Sequence, residues 1–166
     1  MSPSGDIWSA TIISGNGIEP GSAAGAALEC RADIMTMTQT AENAVLYPDE
    51  PGAWSHDLRL ALAARIAHLN NADNLATAYR EKLGNARFAD IADPTKANTH
   101  TDLGACLAFT DQVATRPSTI TAADIQTLQD AGIADADIVR LTELNAFLAY
   151  QIRLDAGLAL MAGASL

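Results

Sequence analysis

The chain has 166 residues, with 20 acidic against 10 basic side chains, and its net charge is −10. This length suits a single domain, and the acidic balance excludes the basic face that binding to nucleic acid or to an anionic membrane surface requires. No apolar run approaches the roughly 20 residues of a membrane-spanning helix, so we expect neither nucleic acid nor membrane as a partner.

The cellular compartment follows from the N-terminus and the cysteines. The first 25 residues contain no Lys or Arg, so the charged start of a secretory signal is missing. We therefore expect a cytoplasmic protein. Cys30 and Cys106 form no motif, and in a reducing compartment we expect two buried free thiols. The sequence leaves open whether the two sulfurs meet in space.

The composition predicts an all-α fold. Hydrophobic residues make up 49% of the chain but aromatic residues only 5%, because much of the apolar content is alanine, the strongest helix former. Residues 1–25 are different, because glycines interrupt Trp8, Ile12, Ile13 and Ile18. We predict an arm over residues 1–25, packed on its own or a neighbouring subunit, and one helical domain over residues 26–166.

The first predicted helices come from breakers and apolar spacing. One helix spans about 26–46 and ends at the loop 47–52. Ser55 has the position of an N-cap for the next helix. Asn70 and Asn71 end that helix, and another begins at about residue 72. The apolar stripe behind Ser55 has helical spacing and consists of Leu58, Leu62, Ile66 and Leu69.

The second half of the chain predicts three more helices after a looser stretch at residues 85–99. The first begins at Thr101. Thr121 and Asp124 have the spacing of a capping box and open a short helix. Asp135 is the predicted cap of the last and longest helix. Together these patterns indicate a bundle of about six to eight helices.

Two stretches of the chain, residues 58–79 and 121–158, resemble the alkylhydroperoxidase D (AhpD)/carboxymuconolactone decarboxylase family, and specifically its peroxidase-related branch. The first has the family's helix that ends in Asn and is followed at once by another helix start. The second resembles the branch's long C-terminal helix with a late glycine. Residues 31–52 also resemble a subgroup that lacks the family's cysteine pair. The resemblance implies an AhpD-like helical bundle and an intertwined homo-oligomer, which would be a dimer, trimer or hexamer.

The departures from this family bear on function. If the positions at Asn70 correspond, Ala72 and Leu75 occupy the two sites of the redox Cys-x-x-Cys pair. Tyr79, or Ala78 with a shift of one residue, occupies the histidine site, and Leu60 is the best counterpart of a proton-relay glutamate. A thiolate attacks a peroxide, and a helix N-terminus lowers the pKa of the attacking cysteine. Because the sulfur is gone, the resemblance predicts that thiol peroxidase activity is lost.

The remaining polar residues near these positions have structural and functional interpretations. Asp73 lies in the first turn of its helix, where a carboxylate stabilises the helix, and a new functional carboxylate is the alternative. His56, His68 and His100 have no metal-ligand spacing. If one histidine acts, we favour His68, because it lies nearest the helix junction. We expect no cofactor and no metal.

Arginines in apolar helices form the last set of candidates. Since a buried arginine must be paired, we expect acidic partners such as Asp155, Glu143 or Asp57, with a pocket cation that binds a carboxylate as the alternative. The arginines are Arg59, Arg65 and Arg153.

Three functions remain open at this stage. The first is a non-redox oligomeric subunit that binds a partner or a ligand, with a small anion as the possible ligand. The second is a cysteine-independent enzyme of the decarboxylase type, with acid–base work on His68, Tyr79, Asp73 or an arginine. The third is a peroxidase that uses Cys30 or Cys106.

Overall fold

The computed structural model describes residues 7–97 and 99–163. Over these residues the fold is all-helical, with seven α-helices and no strand, as the composition predicted. No helix of the described part combines the length and apolarity needed to cross a membrane. The helices are α1 (Ala23–Glu29), α2 (Ala32–Leu46), α3 (His56–Leu69), α4 (Asp73–Glu81), α5 (Gly104–Thr115), α6 (Ala122–Asp130) and α7 (Asp135–Met161).

Helix α3 is the centre of the bundle. It packs against α4, α5 and α7 and also contacts α2. The predicted stripe is buried at Leu58, Leu62 and Ile66, but the opposite side of the helix is buried as well. A helix that is apolar all round lies inside a protein. The other buried apolar residues of α3 are Leu60, Ala61, Ala63, Ala64 and Ala67.

The prediction of one helix over 26–46 is wrong, because the chain turns at Cys30 and Arg31 and divides that segment into α1 and α2. Helix α1 lies closely against the segment that precedes it. A Cβ on Gly25 would lie 2.4 Å from the Glu19 carbonyl oxygen and 3.2 Å from the Trp8 ring. Only glycine permits this approach at the start of α1.

The described part of the predicted arm packs on its own domain. Ile12 and Ile13 are buried in the common core. The Thr11 amide donates to the Gln39 side-chain oxygen of α2 at 3.0 Å, and Asn16 donates to Asp155 of α7 at 3.1 Å. The remainder of the predicted arm, residues 1–6, lies outside the described residues.

The helix starts largely follow the predicted caps. The Ser55 hydroxyl accepts from the Leu58 amide, and Thr121 and Asp124 form the capping box. The prediction for the last helix is off by one residue, since Ala134 is the N-cap of α7 and Asp135 the first helical residue. There the first-turn aspartate acts through the helix dipole and not as a cap.

Candidate functional site

The four positions that the family resemblance assigns to chemistry lie in α3, in α4 and at the junction between the two helices. All four side chains are buried, with exposed fractions of 2% for Leu60, 7% for Ala72, 2% for Leu75 and 0% for Tyr79. Three of them are aliphatic and belong to the hydrophobic core. The interior at these three positions is therefore filled by side chains that neither donate protons nor attack a substrate.

Tyr79 belongs to a buried polar network around Glu42 of α2, a residue that is only 1% exposed. One carboxylate oxygen of Glu42 accepts from the Thr11 hydroxyl at 2.6 Å and from Lys82 at 3.2 Å. The other accepts from the Gln151 amide at 2.6 Å and lies 3.4 Å from the Tyr79 hydroxyl oxygen. The single proton of the Tyr79 hydroxyl is donated to the nearer Gln151 oxygen, and Lys82 donates to Thr11. We call these five residues the Glu42 network.

The Glu42 network fixes Tyr79 in its protonated form. Burial raises the pKa of the Tyr79 hydroxyl well above its ordinary range, and the negative charge of Glu42 raises it further. Tyr79 is therefore unavailable as a base near neutral pH. The network joins the arm to α2, α4 and α7, which is a structural task.

Sequence reasoning missed Glu42, although a signal was present. Glu42 lies on the same helical stripe as Met35, Thr38 and Leu46, and all four residues are buried. A carboxylate at helical spacing within a buried stripe has to find partners inside the protein. The partners themselves were not predictable, because Gln151 is 109 residues away in sequence.

The histidine and aspartate candidates do not converge on one site. His68 lies in the last turn of α3, where its Nδ1 is 3.0 Å from an Arg80 nitrogen of α4. His56 contacts the Pro48 carbonyl oxygen, and the His100 Nε2 lies 3.3 Å from an Asp90 carboxylate oxygen. Among the described residues, no group of three or more His, Cys, Asp or Glu side chains is arranged to hold a metal ion.

The arginines have three different environments. Arg59 is 2% exposed and donates to the carbonyl oxygens of Val45, Pro51 and Trp54 at 2.8–2.9 Å. The expectation of an acidic hydrogen-bonding partner is therefore wrong for Arg59, because backbone oxygens from the end of α2 and the loop before α3 take that role. The other two arginines differ from it and from each other: Arg65 makes a bidentate pair with Asp111, and Arg153 is exposed and donates to the carbonyl oxygen of Ala149.

The two cysteines are free thiols in different surroundings. Cys106 is buried in α5, and burial raises the pKa of its thiol to about 12. At neutral pH this sulfur is a thiol and a poor nucleophile. The expectation that Cys30 is buried is wrong, because it lies exposed in the turn between α1 and α2.

Two cavities flank the α3–α4 junction and share Asn70 and Ile152 in their walls. The first, which we call the α5–α7 cavity, has a volume of about 510 Å³ and lies between α3, α5 and α7. Its wall is largely apolar, with the Arg153 guanidinium as its cation. Asn145 also lines it, and the side-chain oxygen of this buried residue has no hydrogen-bond partner among the described residues.

The second, which we call the junction cavity, has a volume of about 430 Å³ and lies at the start of α4. Asp73 and Asp155 both line it, and no Lys, Arg or His does so. Of the candidate site residues at the junction, Ala72 and Asp73 line this cavity, together with Asp155, which the sequence offered as an arginine partner. The junction cavity therefore has an acidic lining beside an apolar one, while Leu60, Leu75 and Tyr79 are buried in the interior.

No family model, no curated protein and no solved structure matches this chain. The AhpD/carboxymuconolactone decarboxylase resemblance consequently remains a proposal, based on the residues of segments 58–79 and 121–158.

Proposed function

We propose that the protein is a non-redox relative of the AhpD/carboxymuconolactone decarboxylase family that acts as an oligomeric ligand-binding subunit. The burial of Leu60, Ala72, Leu75 and Tyr79 supports this proposal most directly. A peroxidase needs an activated thiolate with a proton relay beside it. In the proposed register these four positions supply core packing instead.

The acid–base alternative has less support from the geometry. Tyr79 is fully buried and held protonated, and His68 contacts Arg80 away from both cavities. Asp73 reaches the junction cavity without either of them. A general base has to lie within hydrogen-bond reach of its substrate, together with the acid that completes the reaction. These three side chains are not arranged in that way.

The α5–α7 cavity is the site that we propose for a small anionic ligand. Its volume is within the usual range of ligand pockets, roughly 300–1,000 Å³. The Arg153 guanidinium has five N–H donors, only one of which is used on the Ala149 carbonyl. The rest of the cavity lining is largely apolar. This set suits a carboxylate with an apolar body.

Titration of ¹⁵N-labelled protein with sodium butyrate tests this site. We expect saturable NMR shifts at the amides of Val113 and Ala114, whose residues line the cavity. Arg153→Gln should weaken butyrate about tenfold, the value of one charge-assisted hydrogen bond. Arg31→Gln, a change at an exposed and remote arginine, is the control. Equal affinity of both variants would contradict the site.

We also propose a homo-oligomer that covers an apolar patch on α2 and α7. Ile34, Met37 and Tyr150 are 42%, 65% and 45% exposed, and a 2.8 Å hydrogen bond between Thr38 and Tyr150 holds the two helices together there. Light scattering after size-exclusion chromatography should show an oligomer that Met37→Glu dissociates. Dissociation by Val139→Glu alone would place the interface elsewhere.

A cytoplasmic location is part of this proposal. Its support is chemical, because both cysteines are free and one of them is exposed. Free thiols persist in reducing compartments, whereas oxidising compartments favour disulfides.

A further inference from the structure

Asp155 of α7 carries a largely buried carboxylate without a cationic partner among the described residues. The residue is only 8% exposed. Its Oδ1 accepts one hydrogen bond, from the Asn16 amide at 3.1 Å. Its Oδ2 accepts none from the described residues, and no described cation lies within ion-pair distance. A carboxylate buried to this extent is stabilised by a cationic partner, and the second oxygen of Asp155 has none among the described residues.

The missing partner has room in the junction cavity, which Asp155 lines. Asp73 adds a second carboxylate to the same wall, from the first turn of α4. The remaining polar lining is neutral and consists of asparagine side chains. Because the wall contains two acidic residues and no basic one, the cavity favours a cation and disfavours an anion. The asparagines are Asn70, Asn71 and Asn74.

The apolar residues of the cavity lining indicate whether the cation is a metal ion or an organic molecule. The apolar part of the lining is formed by Ile152, Ala156 and Ala159 of α7. Ala72, at the start of α4, adds to it. A hydrated metal ion gains no stabilising contact from apolar side chains, because its ligands are oxygen atoms. It suits the carbon chain of an organic cation, whose head group reaches the carboxylates.

We propose that the junction cavity binds a small organic ammonium ion, a primary amine on a short apolar chain. The ammonium group donates to the free oxygen of Asp155 and is attracted by Asp73. The carbon chain packs on the alanine and isoleucine wall of α7. This site is separate from the anion site proposed for the α5–α7 cavity and stands whether or not that site binds butyrate.

NMR titration of the ¹⁵N-labelled full chain with n-butylammonium chloride tests the proposal. We expect saturable shifts at the amides of Asp73 and Asn74, which line only this one of the two cavities. Butan-1-ol and sodium butyrate, at matched ionic strength, have the same carbon chain without the positive charge. Both should bind there at least about tenfold more weakly, the loss expected for one charge-assisted hydrogen bond.

Three variants separate this site from general charge effects. Asp155→Asn keeps the contact with Asn16 and should weaken butylammonium about tenfold. The more exposed Asp73→Asn should weaken it about threefold. Asp33→Asn, also a first-turn aspartate but on α2, is the matched control and should change nothing. Far-UV circular dichroism verifies that each variant is folded.

Two results of these titrations would overturn the proposed ammonium site. Absence of shifts at Asp73 and Asn74 in the unmodified chain, or equal binding of butan-1-ol, overturns the proposal without any variant. Undiminished binding in folded Asp155→Asn also overturns it. A loss of butyrate binding in Arg153→Gln with butylammonium unaffected leaves the proposal intact and concerns only the other cavity.

Discussion

Replacing Glu42 by Gln tests the account of the buried network most sharply. The substitution keeps size and shape but turns one carboxylate oxygen into an NH2 group. In one orientation that NH2 faces the donors of Thr11 and Lys82, and in the other it faces the Gln151 amide. Whichever way the new amide turns, at least one buried donor loses its acceptor and Lys82 loses its ion pair.

The magnitude follows from these contacts. A hydrogen bond to a charged group is worth about 1.5–3 kcal/mol, and an orphaned buried donor adds its desolvation cost. Two disrupted contacts at a residue that is 1% exposed imply a loss of about 3 kcal/mol in the free energy of unfolding. For a chain of this length that loss lowers the melting temperature by roughly 6–12 °C.

Urea denaturation followed by circular dichroism at 222 nm and by tryptophan fluorescence measures the change. Glu50→Gln is the control, because Glu50 lies exposed in the loop between α2 and α3, and such surface changes usually stay within about 0.5 kcal/mol. Hydrogen exchange should also show loss of protection in the arm around Thr11. If the free energy of unfolding of Glu42→Gln lies within about 1 kcal/mol of that of the unmodified chain, the Glu42 network does not stabilise the fold as described.

Three further predictions concern stability. Gly25→Ala should lower the free energy of unfolding in urea by about 1–3 kcal/mol, because its Cβ would lie 2.4 Å from the Glu19 carbonyl oxygen. Gly157→Ala inside α7 is the matched control, since its Cβ would meet no atom within 4 Å, and it should raise the free energy of unfolding by about 0.5–1 kcal/mol. Arg59→Met should cost about 3 kcal/mol by the same assay, since three carbonyl oxygens lose their donor. Burial raises the pKa of Asp155 above its ordinary value, so the folded state holds this proton more tightly than the unfolded state, and stability falls as pH rises from the unfolded pKa through the folded one. Asp155→Asn removes that penalty, so the variant should gain on the unmodified chain as pH rises from 3 to 7 in thermal melts; a difference that does not change with pH would contradict the assignment.

Much of the helical frame was predictable because its signals are local. The N-cap at Ser55 and the capping box at Thr121 depend on residues three positions apart, and the asparagine break after α3 is also local. The turn at Cys30 and Arg31 was not predicted, because no neighbouring glycine, proline or side-chain cap marks it.

In the candidate site, too, the residues with a local sequence signal were predicted and those that depend on long-range contacts were not. The α3–α4 junction was located from the asparagine break, and Asp73 was identified at the start of the next helix. Asp155 entered only as a possible arginine partner, yet it contacts Asn16 across 139 residues of sequence. Charge placement within a cavity depends on which helices enclose it, and no spacing rule supplies that information.

We propose that this chain has no thiol peroxidase activity, and one assay tests that proposal directly. Consumption of an organic hydroperoxide with a dithiol reductant is measured for the unmodified protein and for Cys30→Ser/Cys106→Ser, with Ala72→Cys/Leu75→Cys as the variant that restores the cysteine pair. We predict equal background rates for the first two proteins and added turnover for the third. Turnover by the unmodified protein that disappears in the double-serine variant would contradict the claim and place the chemistry on Cys30 or Cys106.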